Sequence, residues 1–349
     1  MRWFVSLIGN LIALTAAFGL LARYVSPRIF WPPAVVALAL PGLLALTFLF
    51  LLFALSRRRR WPWAVLPAVV VACSVPILGQ LFAWSGPAEP VTGATVTFVT
   101  GNQRLFRTED GEPIKASDAT KFFHELTADV LLLQEIHPPS NKLNFVSSIE
   151  AGQKFQARHQ ERGTLVATYA PEIEPVSAYF TKPNEYNGFL VSDVKTELGT
   201  IRVINAHLES NNISGMTSGI GADHAVQERA ETFARMLAGY GRATRRRAEQ
   251  AEEIRRLVET SPHPVIVGGD FNDVPSSYIY HTLSSPRLRD AWVARGSGLG
   301  ATFTGPLPGL RIDYFLVDTS LNVVSVERLD PHWSDHRPLS MVVSGKAER

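Results

Sequence analysis

The first 88 residues contain no aspartate or glutamate, and the whole chain of 349 residues contains a single cysteine, Cys73. One thiol excludes an internal disulfide, so any part of the chain outside a membrane must be held by its own core, which the residues beyond 90 are numerous enough to build. Neither an internal repeat nor a low-complexity tract is present, which excludes solenoids and biased linkers. The acid-free segment is nevertheless charged. Arginines at 2, 23, 28 and 57–60 give residues 1–86 a formal +7, and because the whole chain carries +2, the remainder carries −5. The basic balance therefore belongs to the N-terminal part alone.

Three apolar stretches, at 4–22, 34–55 and 63–84, each approach the ~20 residues that span a bilayer as a helix. A secretory signal would not be followed by two further long acid-free stretches. Residues 1–86 are thus expected to form three transmembrane helices in contact with a lipid bilayer, followed by a linker at 87–93 and a soluble domain at 94–349. Pro41, Pro67 and Pro76 are tolerable in membrane helices, where neighbours satisfy the freed backbone. Trp31, Trp61, Trp63 and Trp84 fall at the expected helix ends, as an interfacial belt places them. Arg57–Arg60 lie between the second and third helices, and four adjacent arginines outweigh Arg23 and Arg28 in holding their loop in the cytoplasm. The expected result is a multi-pass protein of a bacterial-type inner membrane whose soluble domain, tethered by a short linker, faces the periplasm or exterior.

In the soluble domain, apolar β-rich runs predict strands at 95–99, 130–133, 164–168, 188–194, 201–205, 265–267, 312–317 and 339–343, with a serine-capped helix at 117–126. A long Arg/Glu/Ala-rich helix is expected at 222–260. Its stripe of Phe233, Met236, Leu237 and Tyr240 is expected to pack on a sheet, with Arg245–Arg247 as a solvated face, although a membrane-surface or gating helix is the sharper alternative. Residues 211–221, rich in glycine and serine, predict a mobile loop beside His207.

Acid, amide and histidine signatures sit where these strands give out: T-G-N-Q at Asn102, L-L-L-Q-E at Glu135, N-A-H-L at His207, G-G-D-F-N-D at Asp270 and Asn272, R-I-D-Y at Asp313 and S-D-H-R-P-L at Asp335 and His336. Strand ends are where an α/β sheet presents its site. Taken in order and spacing over roughly residues 94–345, this set resembles the endonuclease/exonuclease/phosphatase superfamily with its DNase I-like fold. The resemblance implies an α/β (α+β) four-layer sandwich of two sheets covered by helices, and a metal-dependent phosphoester hydrolase. One departure stands out: the family carries an aromatic residue before the asparagine, where this chain has Gly101.

Carboxylate and amide oxygens suit Mg²⁺ or Mn²⁺, whereas zinc favours cysteine or more histidine, so Asn102 and Glu135 are the expected metal ligands with Asp335 as an additional ligand to metal or water. Asp270 and Asn272, two apart, point the same way if the backbone is extended. The resemblance makes Asp270 the group that orients and deprotonates the attacking water, and Asn272 a holder of water and phosphate. It pairs Asp313 with His336, whose titration range suits proton transfer, and places His207 against the scissile phosphate.

Substrate follows from surroundings rather than fold. The soluble domain lacks the basic footprint of a nuclease, and membrane attachment concentrates an enzyme whose substrate lies in the bilayer. A lipid-linked phosphate is the favoured expectation. The three-helix anchor also resembles the membrane-bound branch associated with glycopeptide resistance, which implies undecaprenyl pyrophosphate or a similar headgroup. Alternatives are a surface nuclease acting on DNA or RNA, a sphingomyelinase- or phosphoinositide-type phosphodiesterase, and an inactive membrane scaffold.

Overall fold

The computed structural model describes residues 2–56, 58–84, 91, 93–108, 110–142, 144–151, 155–180, 186–210, 226–305, 309–330 and 333–346. The expected mobile loop at 211–221 and most of the expected linker lie outside them.

The N-terminal bundle consists of α1 (Arg2–Leu20), α2 (Pro32–Leu38), α3 (Leu40–Leu55) and α4 (Val65–Leu81). Trp3–Arg23 and Trp61–Leu81 are each long and apolar enough to cross a membrane, with mean hydropathies of 2.1 and 2.0. The expected second span is not one straight helix. It bends by 73° between α2 and α3, where Pro41 in the first turn of α3 has no N–H to give the Ala37 carbonyl, so among the described residues a third span is counted only if the bent pair is taken as one. Ala13, Ala16, Leu20, Leu40, Leu44, Val70 and Ile77 form the bundle core, while Leu11, Leu14, Leu49 and Val75 point outward.

Beyond it lie β1 (Ala83–Trp84), β2 (Thr95–Asn102), α5 (Ala116–Glu125), β3 (Val130–Gln134), α6 (Val146–Glu150), β4 (Ala157–His159), β5 (Val166–Ala170), β6 (Ile173–Phe180), β7 (Gly188–Thr196) and β8 (Gly199–His207). After these come α7 (Val226–Thr260), β9 (Val265–Asp270), α8 (Tyr278–Leu283), β10 (Leu288–Asp290), α9 (Ala291–Arg295), β11 (Ser297–Gly298), β12 (Asp313–Asp318), β13 (Leu321–Arg328) and β14 (Leu339–Gly345). Two six-stranded sheets result, ordered β13-β14-β2-β3-β5-β4 and β10-β12-β9-β8-β7-β6.

Strand alternation explains the layering. In β3, Val130 and Leu132 enter the core between the sheets, whereas Leu131 and Leu133 face Ala119, Phe123 and Ile149 of α5 and α6. In β9, Ile266 enters that same central core while Val265 and Val267 face Ala251, Ile254 and Val258 of α7. Helices therefore cover both outer faces, and the four-layer sandwich is present as expected. Two parallel pairs, β2/β3 and β8/β9, bring two pairs of C-terminal strand ends to the same side of the molecule.

The bundle docks directly on this sandwich. Tyr240 of α7 donates to the Ala34 carbonyl at 3.0 Å, Ser276 to the Ala37 carbonyl at 3.0 Å and Arg311 to the Gln80 carbonyl at 2.7 Å. β1 pairs antiparallel with β11. The stripe on α7 corrects the expectation: Tyr240 packs on the bundle rather than a sheet, and Phe233 is exposed. Nor is Arg245–Arg247 a uniformly solvated face, because Arg247 is fully buried and its Nε lies 3.1 Å from an Asp273 carboxylate oxygen that is equally buried.

Candidate active site

Three adjacent strand positions supply the centre. His207 at the end of β8 is registered opposite Asp270 at the end of β9, and Asp270 is opposite Asp313 at the start of β12, so the three side chains stand level on one sheet, all buried. This approach depends on Gly269, whose φ is +139° and where a Cβ would lie 1.9 Å from the Ala206 carbonyl oxygen. The strand ends at Asp270. Asn272 has φ +52° and donates its backbone N–H to Asp270 Oδ1 at 2.8 Å, an Asx turn. The expected extended spacing is thus replaced by a turn, yet Asn272 still reaches the site by curling back, its amide 3.3 Å from Asp270 Oδ2 and 3.0 Å from the Leu208 carbonyl.

The other sheet contributes Asn102 at the end of β2 and, beside it, Glu135, which follows β3 with φ +51°. Asn102 Nδ2 donates to Glu135 Oε1 at 3.0 Å and to Asp270 Oδ2 at 3.1 Å, so one amide ties the two sheets together. Its Oδ1 accepts from the Arg104 N–H at 2.9 Å. Gly101, the departure from the family pattern, also has a physical reason: a Cβ there would lie 2.9 Å from the Pro338 ring.

Behind these groups lies a pair that the motif reading passed over. Gln134 donates to Asn205 Oδ1 at 2.7 Å, and Asn205 Nδ2 donates to the Ala167 carbonyl at 2.9 Å, both residues being fully buried. Each belongs to a quoted motif, L-L-L-Q-E or N-A-H-L, and an amide inside an apolar strand was the available signal. Ser334, which donates to the Asn102 carbonyl at 2.7 Å, opens the quoted S-D-H-R-P-L but lies outside any apolar strand and gave no such signal.

The two histidines are held differently. His336 Nδ1 lies 3.0 Å from Asp313 Oδ2, and Asp313 is itself fixed from behind, its backbone N–H bonded to Thr302 Oγ1 at 3.1 Å. Burial works against a charge on His336, but the carboxylates of Asp313 and then Asp270 outweigh it and raise the imidazole from 6.5 to about 10. Its Nε2 faces Asp270 Oδ2 at 3.8 Å. His207 Nδ1 lies 3.0 Å from the Tyr186 carbonyl, an acceptor only, so Nδ1 carries the proton and Nε2 faces Glu135 and Asp270, each at 3.7 Å. Asn187, also unforeseen, lies 3.3 Å from that Nε2. Burial pushes Asp270 above the usual carboxylate range, with His336 pulling against it and Asp313 adding to it.

Of the expected residues, Asn102, Glu135, His207, Asp270, Asn272, Asp313 and His336 converge. Asp335 stands at the edge, its carboxylate 3.8 Å from Arg104 Nε. Ligand atoms of Asp270, Asp313 and His336 lie within 4.8 Å of one another, close enough to share an ion. The donor set fits a hard divalent cation: Asp270 and Asp313 offer carboxylate oxygens at one point, and the Asn102 amide joins the Glu135 carboxylate to that of Asp270. Asn102 can offer its oxygen only by turning its amide over and releasing the Arg104 N–H.

The Endonuclease/Exonuclease/phosphatase family model matches residues 102–336, and the chain belongs to that family, whose fold is that of phosphoester hydrolases. A second match, over residues 2–81, is to a domain of unknown function (DUF8431). No curated protein matches the chain. Among solved structures, a humanized D. rerio TDP2 aligns at 13% identity and TM-score 0.48, covering 72% of this chain and all of its own. An endonuclease/exonuclease/phosphatase from Beutenbergia cavernae aligns at 16% identity and TM-score 0.47, covering 72% of each chain. Staphylococcus aureus beta toxin aligns at 17% and 0.47, covering 72% of this chain and all of its own.

Proposed function

We propose that this chain is a membrane-tethered, divalent-metal-dependent hydrolase whose outward-facing site cleaves a lipid-linked phosphate or pyrophosphate. One observation carries the lipid reading: the short helix α2, between the first two apolar helices, packs through Ala37 on Val274 and Ile312, next to the strand ends that bear Asp270 and Asp313. A bilayer holding the bundle would lie beside the site, where a phosphate on a lipid is presented and a bulk polymer is not. The −5 charge of the remainder of the chain agrees, since a nucleic-acid backbone calls for a basic footprint.

In this reading Asp270, its affinity for a proton raised by burial, orients a water and accepts its proton. His336, kept protonated by Asp313, donates from Nε2 toward a phosphoryl oxygen as charge builds there. The Asn272 amide, and His207 when its Nε2 also carries a proton, position the phosphate. Glu135 and Asn102, with Asp335 at the edge, would hold Mg²⁺ or Mn²⁺, which supplies positive charge to the phosphoryl oxygens.

The test is inorganic phosphate release from a polyprenyl pyrophosphate in detergent micelles with Mg²⁺ or Mn²⁺, comparing the full chain with Asp270→Ala. Release by the parent alone supports the reading. No release by a folded, metal-loaded parent that does cut DNA overturns it in favour of a surface nuclease.

A further inference from the structure

We propose that Leu38, Leu310 and Phe303 form an apolar track that holds the hydrocarbon chain of the substrate between the bundle and His336. The inference rests on the lipid-phosphate reading above and adds the residues that select for the tail.

Ala22 and Ala37 of the bundle and Val274 and Ile312 of the sandwich are buried in one cluster, and Leu38, Leu310 and Phe303 form its half-buried rim. At one end, Leu38 sits at the 73° elbow and is followed within two residues by Leu40, part of the bundle core. At the other end, the Phe303 ring meets the His336 imidazole edge-on, with centroids 5.3 Å apart, and the two residues also pair through a β-bridge. Leu310 packs on the same cluster, and its carbonyl accepts the Phe303 N–H at 2.9 Å. Space is made for the ring: a Cβ on Gly305 would lie 2.4 Å from it.

Apolar surface thus runs from the bundle to the catalytic imidazole without an intervening charge among these residues. A small polar phosphoester gains nothing from such a surface, because the reacting phosphate needs only the oxygens and nitrogens of the site. A hydrocarbon tail gains by leaving water along it.

The experiment measures kcat/KM of the full chain on pyrophosphates that share a headgroup and differ in tail, a long polyprenyl against a five-carbon isoprenyl, at fixed micelle concentration. Wild type is expected to prefer the long tail by about tenfold or more, the scale on which an apolar pocket discriminates. Leu310→Asn and Phe303→Ala should lower that ratio toward unity, and Leu310→Met should restore it. Equal use of both tails by wild type overturns the track, as does a ratio preserved in folded Leu310→Asn. Should Leu310→Asn fail to fold, the tail-length series on wild type and Leu38→Asn decide alone. Cleavage of neither pyrophosphate overturns the lipid-phosphate reading itself, a result distinct from cleavage without tail preference.

Discussion

Asp313→Asn separates the charge of the Asp313–His336 pair from its shape. The amide oxygen can still accept from His336 Nδ1, which lies 3.0 Å from Oδ2, so geometry survives while the negative charge goes. The folded imidazole at about 10, against 6.5, corresponds to on the order of 5 kcal/mol in favour of the protonated form. Burial opposes that form and Asp313 is the foremost opposing charge, so the variant should carry a neutral His336 near pH 7. If protonated His336 stabilises the phosphoryl oxygens, turnover of bis(p-nitrophenyl) phosphate with Mg²⁺ should fall about 10²–10³-fold with little change in KM. Stability gives an independent readout. A folded value raised above the unfolded one contributes stability that is complete below pH 6.5 and fades as pH rises through about 10. The melting temperature of Asp313→Asn should therefore lie furthest below wild type near pH 6, and the gap should close toward alkaline pH. Undiminished turnover together with a pH-independent gap would refute the argument.

Four further outcomes are expected. Glu135→Gln should weaken Mn²⁺ binding, followed by isothermal titration, by about tenfold or more, while leaving the melting temperature in EDTA unlowered, because no lysine or arginine is paired with this carboxylate among the described residues. Gly269→Ala, with its Cβ forced against the Ala206 carbonyl, should cost about 3 kcal/mol or more and show as a large drop in melting temperature or in folded yield. Arg247→Met leaves the buried Asp273 carboxylate uncompensated and should cost about 3–5 kcal/mol, part of which a second change, Asp273→Asn, should return; an additive double variant would show the pair to be uncoupled. His159 is held below 6.5 chiefly by burial, so its contribution is complete above pH 6.5 and is lost below it as pH falls through the lower folded value, and His159→Gln should flatten the acid-side decline of the melting temperature.

The strand ends that carry the site were legible because their strands are. β3 and β9 are apolar on both faces, which marks central strands, and the polar residue that ends each run marks the mouth. Other strands were hidden for local reasons. β6 is an edge strand with most side chains exposed, and β13 carries a bulge between Val323 and Ser325 that breaks its two-residue period. Arg247 was misassigned because a run of arginines looks solvated from sequence, while its burial depends on Asp273 folding beneath α7. The bend between α2 and α3 was signalled by Pro41 yet absorbed into one long apolar stretch. The hydrogen bonds by which Tyr240, Ser276 and Arg311 hold the bundle had no sequence signal, since they end on backbone carbonyls, which every residue possesses.

Those carbonyls make the boundary between the two matched families a seam in sequence only. Ala34 and Ala37 accept hydrogen bonds from Tyr240 and Ser276, and both alanines are almost completely buried, so neither can grow by even a methyl group without pushing on α7 or on the turn after Asp270. The two segments are thereby fitted to each other's surfaces. A bundle taken from a distant relative and spliced onto this sandwich should fit poorly at these two positions first, and compensating changes should arise around Tyr240 and Ser276.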